Sequence, residues 1–333
     1  MTLEQLIKDI NNKIYAPIYL LMGEEGYYID KISEYLMSKV LDEQEKAFNE
    51  HVFYGKDITA GQLDNLARRF PMMANHQLII VKEAQLIQKL EDLVYYAANP
   101  LKSTILVLNH KYKSLAKNKK LYKEIEKNGL IFESKKLYEN QVPDWIVNYL
   151  AKKKVAISLP AAQLMTENLG NDLSRISNEL DKLLLGLPEE NRKITPELIE
   201  RNIGISKDFN NFELQKAIGA KDFFKANLIL VNFAKNPKEH PFVLVINSLF
   251  SYFSKLLIYH ATPDKASKNA SSILGIHPYF LKEYQQAAAN YPSGKIVQII
   301  STLRTFDLKS KGVDASGADS EELMKELIFR IMH

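Results

Sequence analysis

The sequence predicts an α/β domain built on a parallel sheet, followed by wholly helical segments, on three observations. Over roughly the first 138 residues, apolar runs of strand length alternate with amphipathic runs of helix length, as a parallel sheet with crossover helices requires. From Glu139 onward the β-branched runs cease and helical periods take their place. The chain also has 333 residues, more than one hydrophobic core usually organises. The expected division is 1–138, α/β; 139–207, a small helical domain; and 208–333, an all-helical bundle.

The composition narrows the chemistry. Apolar residues make up 46% and charged residues 25%, as in an ordinary globular protein. Cysteine is absent, which removes disulfides, thiolate nucleophiles and thiolate metal sites together. The opening MTLEQLIKDI is acidic and amphipathic rather than basic and then apolar, so no signal peptide is expected. No apolar run is expected to approach the length of a membrane span, and the expected compartment is the cytoplasm. The net charge of +4 permits contact with nucleic acid without requiring it.

Each element has a local reason. Leu3, Leu6, Ile7 and Ile10 follow helical spacing, and 18–22 (IYLLM) is a buried strand. Ile29, Ile32, Leu36, Val40 and Leu41 put one apolar stripe on a helix ending near Leu41. Residues 51–54 read as a second strand, and 58–70 as a helix with Thr59 as its N-cap. QLIIVK, 77–82, is apolar throughout its centre, the mark of a central parallel strand. A helix over 84–98, stopped by Asn99-Pro100, precedes the strand TILVL at 104–108. A lysine-rich helix over 111–127, ended by Asn128-Gly129, leads to a last strand at 130–133. Beyond it, helices are expected at 142–150, 160–169, 172–185, 196–203, 212–219, 222–235, 242–260, 279–290, 293–309 and 319–332. Gly186 and Pro188 would end the third of these, and 204–211 reads as a polar hinge.

The strand–loop–helix at 18–32 has the layout of a phosphate-binding loop without its chemistry. A Walker loop places Gly-Lys-Ser/Thr five residues after its first glycine, so that backbone N–H groups and the lysine hold phosphates and the hydroxyl holds Mg²⁺. Counting from Gly23 past Gly26, those places hold Tyr28, Ile29 and Asp30. The acidic pair that should follow the strand TILVL is replaced by Asn109 and His110. Two readings stay open on residues alone: a nucleotide site that lost its groups, or a tight turn that never held one.

No catalytic group emerges elsewhere. The seven histidines include no i, i+4 pair, no G-x-S-x-G elbow occurs, and Glu24-Glu25 reads as a solvated pair. No catalytic residue, metal or cofactor is expected. Lys111, Lys113, Lys117, Lys119, Lys120 and Lys123, interleaved with Tyr112 and Tyr122, suit either a solvated helix face or contact with a phosphate backbone. The loop Phe70-Pro71-Met72-Met73-Ala74-Asn75 joins a helix to a buried strand, where loops are ordinarily polar. One methionine could cap the local core, or both could be offered to a partner's pocket, for which a flexible thioether is well suited.

The segments IYLLMGEEGYYID, ARRFPMMANHQLIIVKEA, GNDLSRISNELDKLLL and LGIHPYFLKEY, in this order, resemble the delta subunit of the bacterial DNA polymerase III clamp loader. That resemblance implies an AAA+-like first domain, a helical lid and a helical collar used for oligomerisation. It implies a subunit that does not hydrolyse ATP and that opens the ring-shaped sliding clamp (beta) for loading onto primed DNA during replication. The clamp-binding pair would be Met72 and Met73, shaped by Phe70 and Pro71. The partners implied are the clamp, the motor subunits (gamma/tau), delta prime and primed DNA, with no membrane. ATP binding by neighbouring motors would expose the loop and hydrolysis would release it. Any nucleotidyltransferase activity, that of a DNA-directed DNA polymerase, would be the holoenzyme's. The alternatives are an active P-loop ATPase and a standalone DNA-binding protein.

Overall fold

The three inner strands of the sheet are almost wholly buried apolar runs because both of its faces are covered, so neither parity of side chain needs to be polar, while the two edge strands are only partly buried. In the computed structural model, which describes residues 2–187, 192–203, 206, 208–265, 267–313 and 320–333, the chain divides into two units, 1–137 and 138–333. The strands of the first are β1 (Ile18–Gly23), β2 (Glu50–Tyr54), β3 (Gln77–Lys82), β4 (Thr104–Lys111) and β5 (Leu130–Ser134). All pair in parallel, in the order β2-β3-β4-β1-β5. This is the parallel sheet expected of the first domain, with β4 inserted beside β1 to create a switch in strand order. In such sheets ligands sit at the carboxyl ends of the strands near that switch.

The helices of this unit are α1 (Leu3–Asn11), α2 (Gly26–Lys39), α3 (Glu43–Asn49), α4 (Ala60–Ala67), α5 (Val94–Ala98) and α6 (Lys120–Asn128). Tyr19, Leu21, Leu78, Ile80, Ile105 and Val107 face α1 and α2. Their neighbours Ile18, Leu20, Met22, Ile79, Val81, Leu106 and Leu108 face α4, α5 and α6. Thr59 caps α4 as expected, its hydroxyl accepting from the Gln62 N–H at 3.3 Å while the Gln62 side chain accepts from the Thr59 N–H at 2.9 Å.

Three expectations in this unit need correction. The helix over 84–98 is two 3₁₀ turns, Ala84–Leu86 and Leu90–Leu93, before the five residues of α5. Glu83 and Lys89 take left-handed conformations (φ 54° and 59°), which a continuous helix excludes. The lysine-rich helix begins at Lys120, not Lys111. Asn109, His110 and Lys111 instead continue the ladder of β4 opposite Leu21, Met22 and Gly23. Tyr112 (φ 64°) then turns the chain, and buried Leu115 holds the loop down. Lastly, α3 was not foreseen; its seven residues are under two turns, shorter than the window of about 11–18 residues over which helical periodicity is read.

The second unit holds α7 (Val142–Lys152), α8 (Leu159–Leu169), α9 (Leu173–Leu185), α10 (Pro196–Ile203), α11 (Asn211–Gly219), α12 (Phe223–Lys235), α13 (Phe242–Ala261), α14 (Ser267–Leu274), α15 (Leu281–Asn290), α16 (Ser293–Ser310) and α17 (Ser320–Met332). Unforeseen are α14 and a two-residue parallel pair, Ala156–Ile157 with Lys193–Ile194. Pro188, Gly204 and Asp319, named above as a stop, a hinge residue and a helix start, lie outside the described residues. Contrary to expectation, α13 does have the length and mean hydropathy (1.6) of a membrane span. Its Val245, Leu249, Tyr252, Phe253 and Leu256 are buried in the core shared with α11, α12, α15, α16 and α17, as for the central helix of a bundle.

Candidate functional site

Between α4 and β3 the chain leaves the fold at the amino-terminal edge of the sheet, and the two ends of that loop are fastened by buried polar groups. At the stem, the Gln77 side-chain amide donates to the carbonyl of Arg69 at 2.6 Å and to Thr104 Oγ1 at 2.7 Å. Thr104 in turn donates to the carbonyl of Ala67 at 2.7 Å. These bonds occupy carbonyls that the end of α4 leaves without intrahelical partners. Further out, the Met72 N–H donates to Asn49 Oδ1 at 2.7 Å, and Asn49 Nδ2 donates to the Met72 carbonyl at 2.9 Å. Ala74 packs back against the core.

What the loop presents is apolar. Phe70 is 77% exposed, Met72 60% and Met73 101%. Met73 also adopts a left-handed conformation, φ 51°. A non-glycine residue held there costs about 1–2 kcal/mol, which surrounding bonds must offset. Neither methionine caps the local core, so the alternative in which one of them does is not what the geometry shows. His51 on β2 stacks on Phe53, and burial together with nearby Arg69 holds its pKa below the usual value of 6.5.

The glycine loop lies at the other end of the strands. Gly23 has φ 126°, and a Cβ there would stand 2.0 Å from the Ser134 carbonyl oxygen. The close approach is a backbone join: the Glu24 N–H donates to that oxygen at 3.0 Å, and the Tyr112 N–H donates to the Gly23 carbonyl at 2.8 Å. Gly26 is less constrained, the nearest atom to an added Cβ being Lys111 Cδ at 3.7 Å. A bound phosphate at such a loop would rest on the N-terminus of α2. There the buried carboxylate of Glu25 accepts from the Tyr27 N–H at 2.9 Å. Ile29 is wholly buried in the core, Tyr28 is half-buried, and Asp30 pairs with Lys111 at 2.6 Å. The loop thus supplies its own anion to the helix terminus and uses its cation to neutralise an acid. Asn109, fully buried, accepts from Ser33 at 2.8 Å while its Nδ2 has no hydrogen-bond partner among the described residues, and His110 Nδ1 lies 2.8 Å from the Lys113 carbonyl.

The lysines divide accordingly. Lys111 has a side chain only 15% exposed and belongs to the glycine loop. Lys113, Lys117, Lys119 and Lys120 are exposed along the turn after β4, with Lys119 3.4 Å from Glu91. The structure therefore gathers the glycine loop and the lysines at the carboxyl ends of the strands. Phe70, Pro71, Met72 and Met73 stand at the opposite end, about 20 Å away along six residues of β3. Sequence reasoning missed Asn49, Gln77 and Thr104, and its reading of Glu24-Glu25 as a solvated pair fails at Glu25, which is buried on the N-terminus of α2. The signal for Glu25 was its place, an acid in the loop that leads into a helix, where a carboxylate can meet the helix N-terminus. No group of three or more His, Asp or Glu side chains fit to hold a metal occurs among the described residues.

Comparison with known proteins bears on the same region. Residues 19–135, which contain both loops, match the family described as DNA polymerase III, delta subunit. Over 327 residues the chain is 27% identical to the DNA polymerase III subunit delta of Bacillus subtilis strain 168, covering 93% of this chain and 91% of that protein. It is similar in structure to the Bacillus subtilis DNA clamp loader delta protein, with a TM-score of 0.54, 22% identity and 99% of each chain covered. At that identity the structural likeness speaks for the fold.

Proposed function

We propose, from the premise that this chain belongs to the DNA polymerase III delta-subunit family, that it binds the ring-shaped sliding clamp through Met72 and Met73 and opens it for loading onto primed DNA. The observation that carries this reading is Met73, fully exposed and held left-handed on a loop fastened by buried side chains. Exposed apolar groups on an ordered loop are the form a hot-spot anchor takes before it finds its pocket. Phe70 and Pro71 border the same contact.

Opening then needs no chemistry in this chain. A contact that is better in the open ring than in the closed one shifts the clamp by the difference in affinity, and by nothing else. Hydrolysis falls to the motor subunits, gamma/tau. Two features support the absence of hydrolysis here: Glu25 at the N-terminus of α2, and Lys111 bound to Asp30. In the proposed division, 1–138 carries the clamp loop, 139–207 is the lid and 208–333 is the collar that joins the motors and delta prime. Lys113, Lys117, Lys119 and Lys120 are available to DNA within that assembly.

Titration of the purified chain with the purified clamp tests the reading. Because the loop is already exposed, binding should not require ATP, and Met72→Ala with Met73→Ala should weaken it. ATP binding at micromolar levels would favour an ATPase instead. Tight DNA binding without the clamp at physiological salt would favour a standalone DNA-binding protein.

A further inference from the structure

Asn49 closes α3, and its side chain is buried, the residue being 1% exposed. Both polar atoms of its amide serve one residue: Oδ1 accepts from the Met72 N–H at 2.7 Å, and Nδ2 donates to the Met72 carbonyl at 2.9 Å. Nδ2 also donates to the Glu45 carbonyl at 3.0 Å, one helical turn back, which fixes the amide's own orientation. An amide paired with the donor and the acceptor of a single residue does what a neighbouring strand would do. It sets the peptide planes on both sides of Met72.

The effect passes directly to Met73, the next residue, whose φ of 51° is one that an unrestrained methionine leaves for the right-handed or extended regions. The stem bonds from Gln77 reach only as far as Arg69. Beyond that point, among the described residues, Asn49 is the side chain bonded to the loop backbone between Phe70 and Asn75. A free loop of this length would sample many conformers, and binding would then have to order it.

We propose that Asn49 is the positioning residue of the Met72-Met73 contact, holding both methionines in the arrangement that enters the clamp. It touches no partner itself and acts by pre-organising the loop. The proposal rests on the reading of Met72 and Met73 as the clamp contact, and the test separates the two.

The full-length chain is titrated with the purified clamp as wild type, Asn49→Ala, Asn49→Asp, Met72→Ala/Met73→Ala, and the triple variant. A thermal melt of each establishes that it is folded. Asn49→Ala should weaken binding about tenfold, the weight of two modest hydrogen bonds. Asn49→Asp, which keeps the acceptor for the Met72 N–H and loses the donor, should fall between. In the Met72→Ala/Met73→Ala background, Asn49→Ala should change affinity no further, because no side chains remain to be positioned. If the double methionine variant binds the clamp as wild type does, the clamp reading itself fails. If that variant is weakened while folded Asn49→Ala and Asn49→Asp bind as wild type, the positioning role fails alone. Equal weakening by Asn49→Ala in both backgrounds would reduce Asn49 to a general structural residue and overturn the proposal as well.

Discussion

Replacing the two glycines of the phosphate-like loop by alanine should have opposite outcomes. At Gly23 the new Cβ would lie 2.0 Å from the Ser134 carbonyl oxygen and 2.8 Å from its carbon and nitrogen, all backbone atoms of β5. Ordinary contact is about 3.4 Å or more, so β5 would have to retreat by more than an ångström, breaking the bond from Glu24 to Ser134. The φ of 126° adds about 1–3 kcal/mol for any L side chain. Together these make roughly 4 kcal/mol, which at about 3 °C per kcal/mol lowers the melting temperature of the first unit by about 12 °C. At Gly26, the first residue of α2, the nearest atom is the flexible Lys111 side chain at 3.7 Å, and alanine should be neutral or stabilising by up to about 1 kcal/mol. Thermal melts followed by circular dichroism, and calorimetry to resolve the two units, make the comparison. A Gly23→Ala protein as stable as wild type would refute the view that this glycine exists for a backbone join. Destabilisation at Gly26 comparable to that at Gly23 would refute it equally.

Other outcomes follow from the same geometry. Lys113, Lys117, Lys119 and Lys120 changed to glutamine should leave the fold intact, and the salt slope of DNA binding should shrink by about 0.9 for each phosphate no longer neutralised, read from binding measured across a salt series; an unchanged slope would remove these lysines from any role at DNA. His240 stacks on Phe233 at 3.9 Å between ring centres, and its burial holds its pKa below 6.5 despite the opposing Glu239. The unfolded chain therefore takes up the proton first as pH falls. Stability from this group is complete above about pH 6.5 and declines as pH drops through and below that value. Melts at about pH 7.5 and about pH 5.5 should show a smaller difference in His240→Gln than in wild type, and an identical difference would exclude the histidine.

Much of this was legible in the sequence because it depends on local pattern. QLIIVK and TILVL are dominated by unbroken apolar runs, and in the fold they lie in the neighbouring strands β3 and β4 inside the sheet. Thr59 and Gln62 carry their capping arrangement within four residues. The glycine loop was visible as a departure from a spacing rule, and so were its two explanations. What the sequence could not carry were partnerships between distant residues. Lys111 and Asp30 are 81 positions apart, so Lys111 read as one more lysine of a helix when it is the last residue of a strand. Asn49 and Met72 are 23 apart, and an asparagine before a strand has no pattern that names its partner. The exposed methionines were visible as an oddity of composition. The loop that carries them is bonded by Gln77 and Thr104 at its stem and by Asn49 at Met72, and these residues lie on three different elements.

Whether Met72 and Met73 carry the clamp contact is decided by titrating the chain, without nucleotide, with the purified sliding clamp, as wild type and as Met72→Ala/Met73→Ala. Full burial of a methionine is worth about 2 kcal/mol. With Met73 wholly exposed and Met72 60% exposed beforehand, the pair should contribute about 3 kcal/mol, of which alanine would retain roughly a third. The wild type should bind saturably, and the double variant should bind roughly 30-fold more weakly. Equal affinities for a folded double variant and the wild type would contradict the assignment.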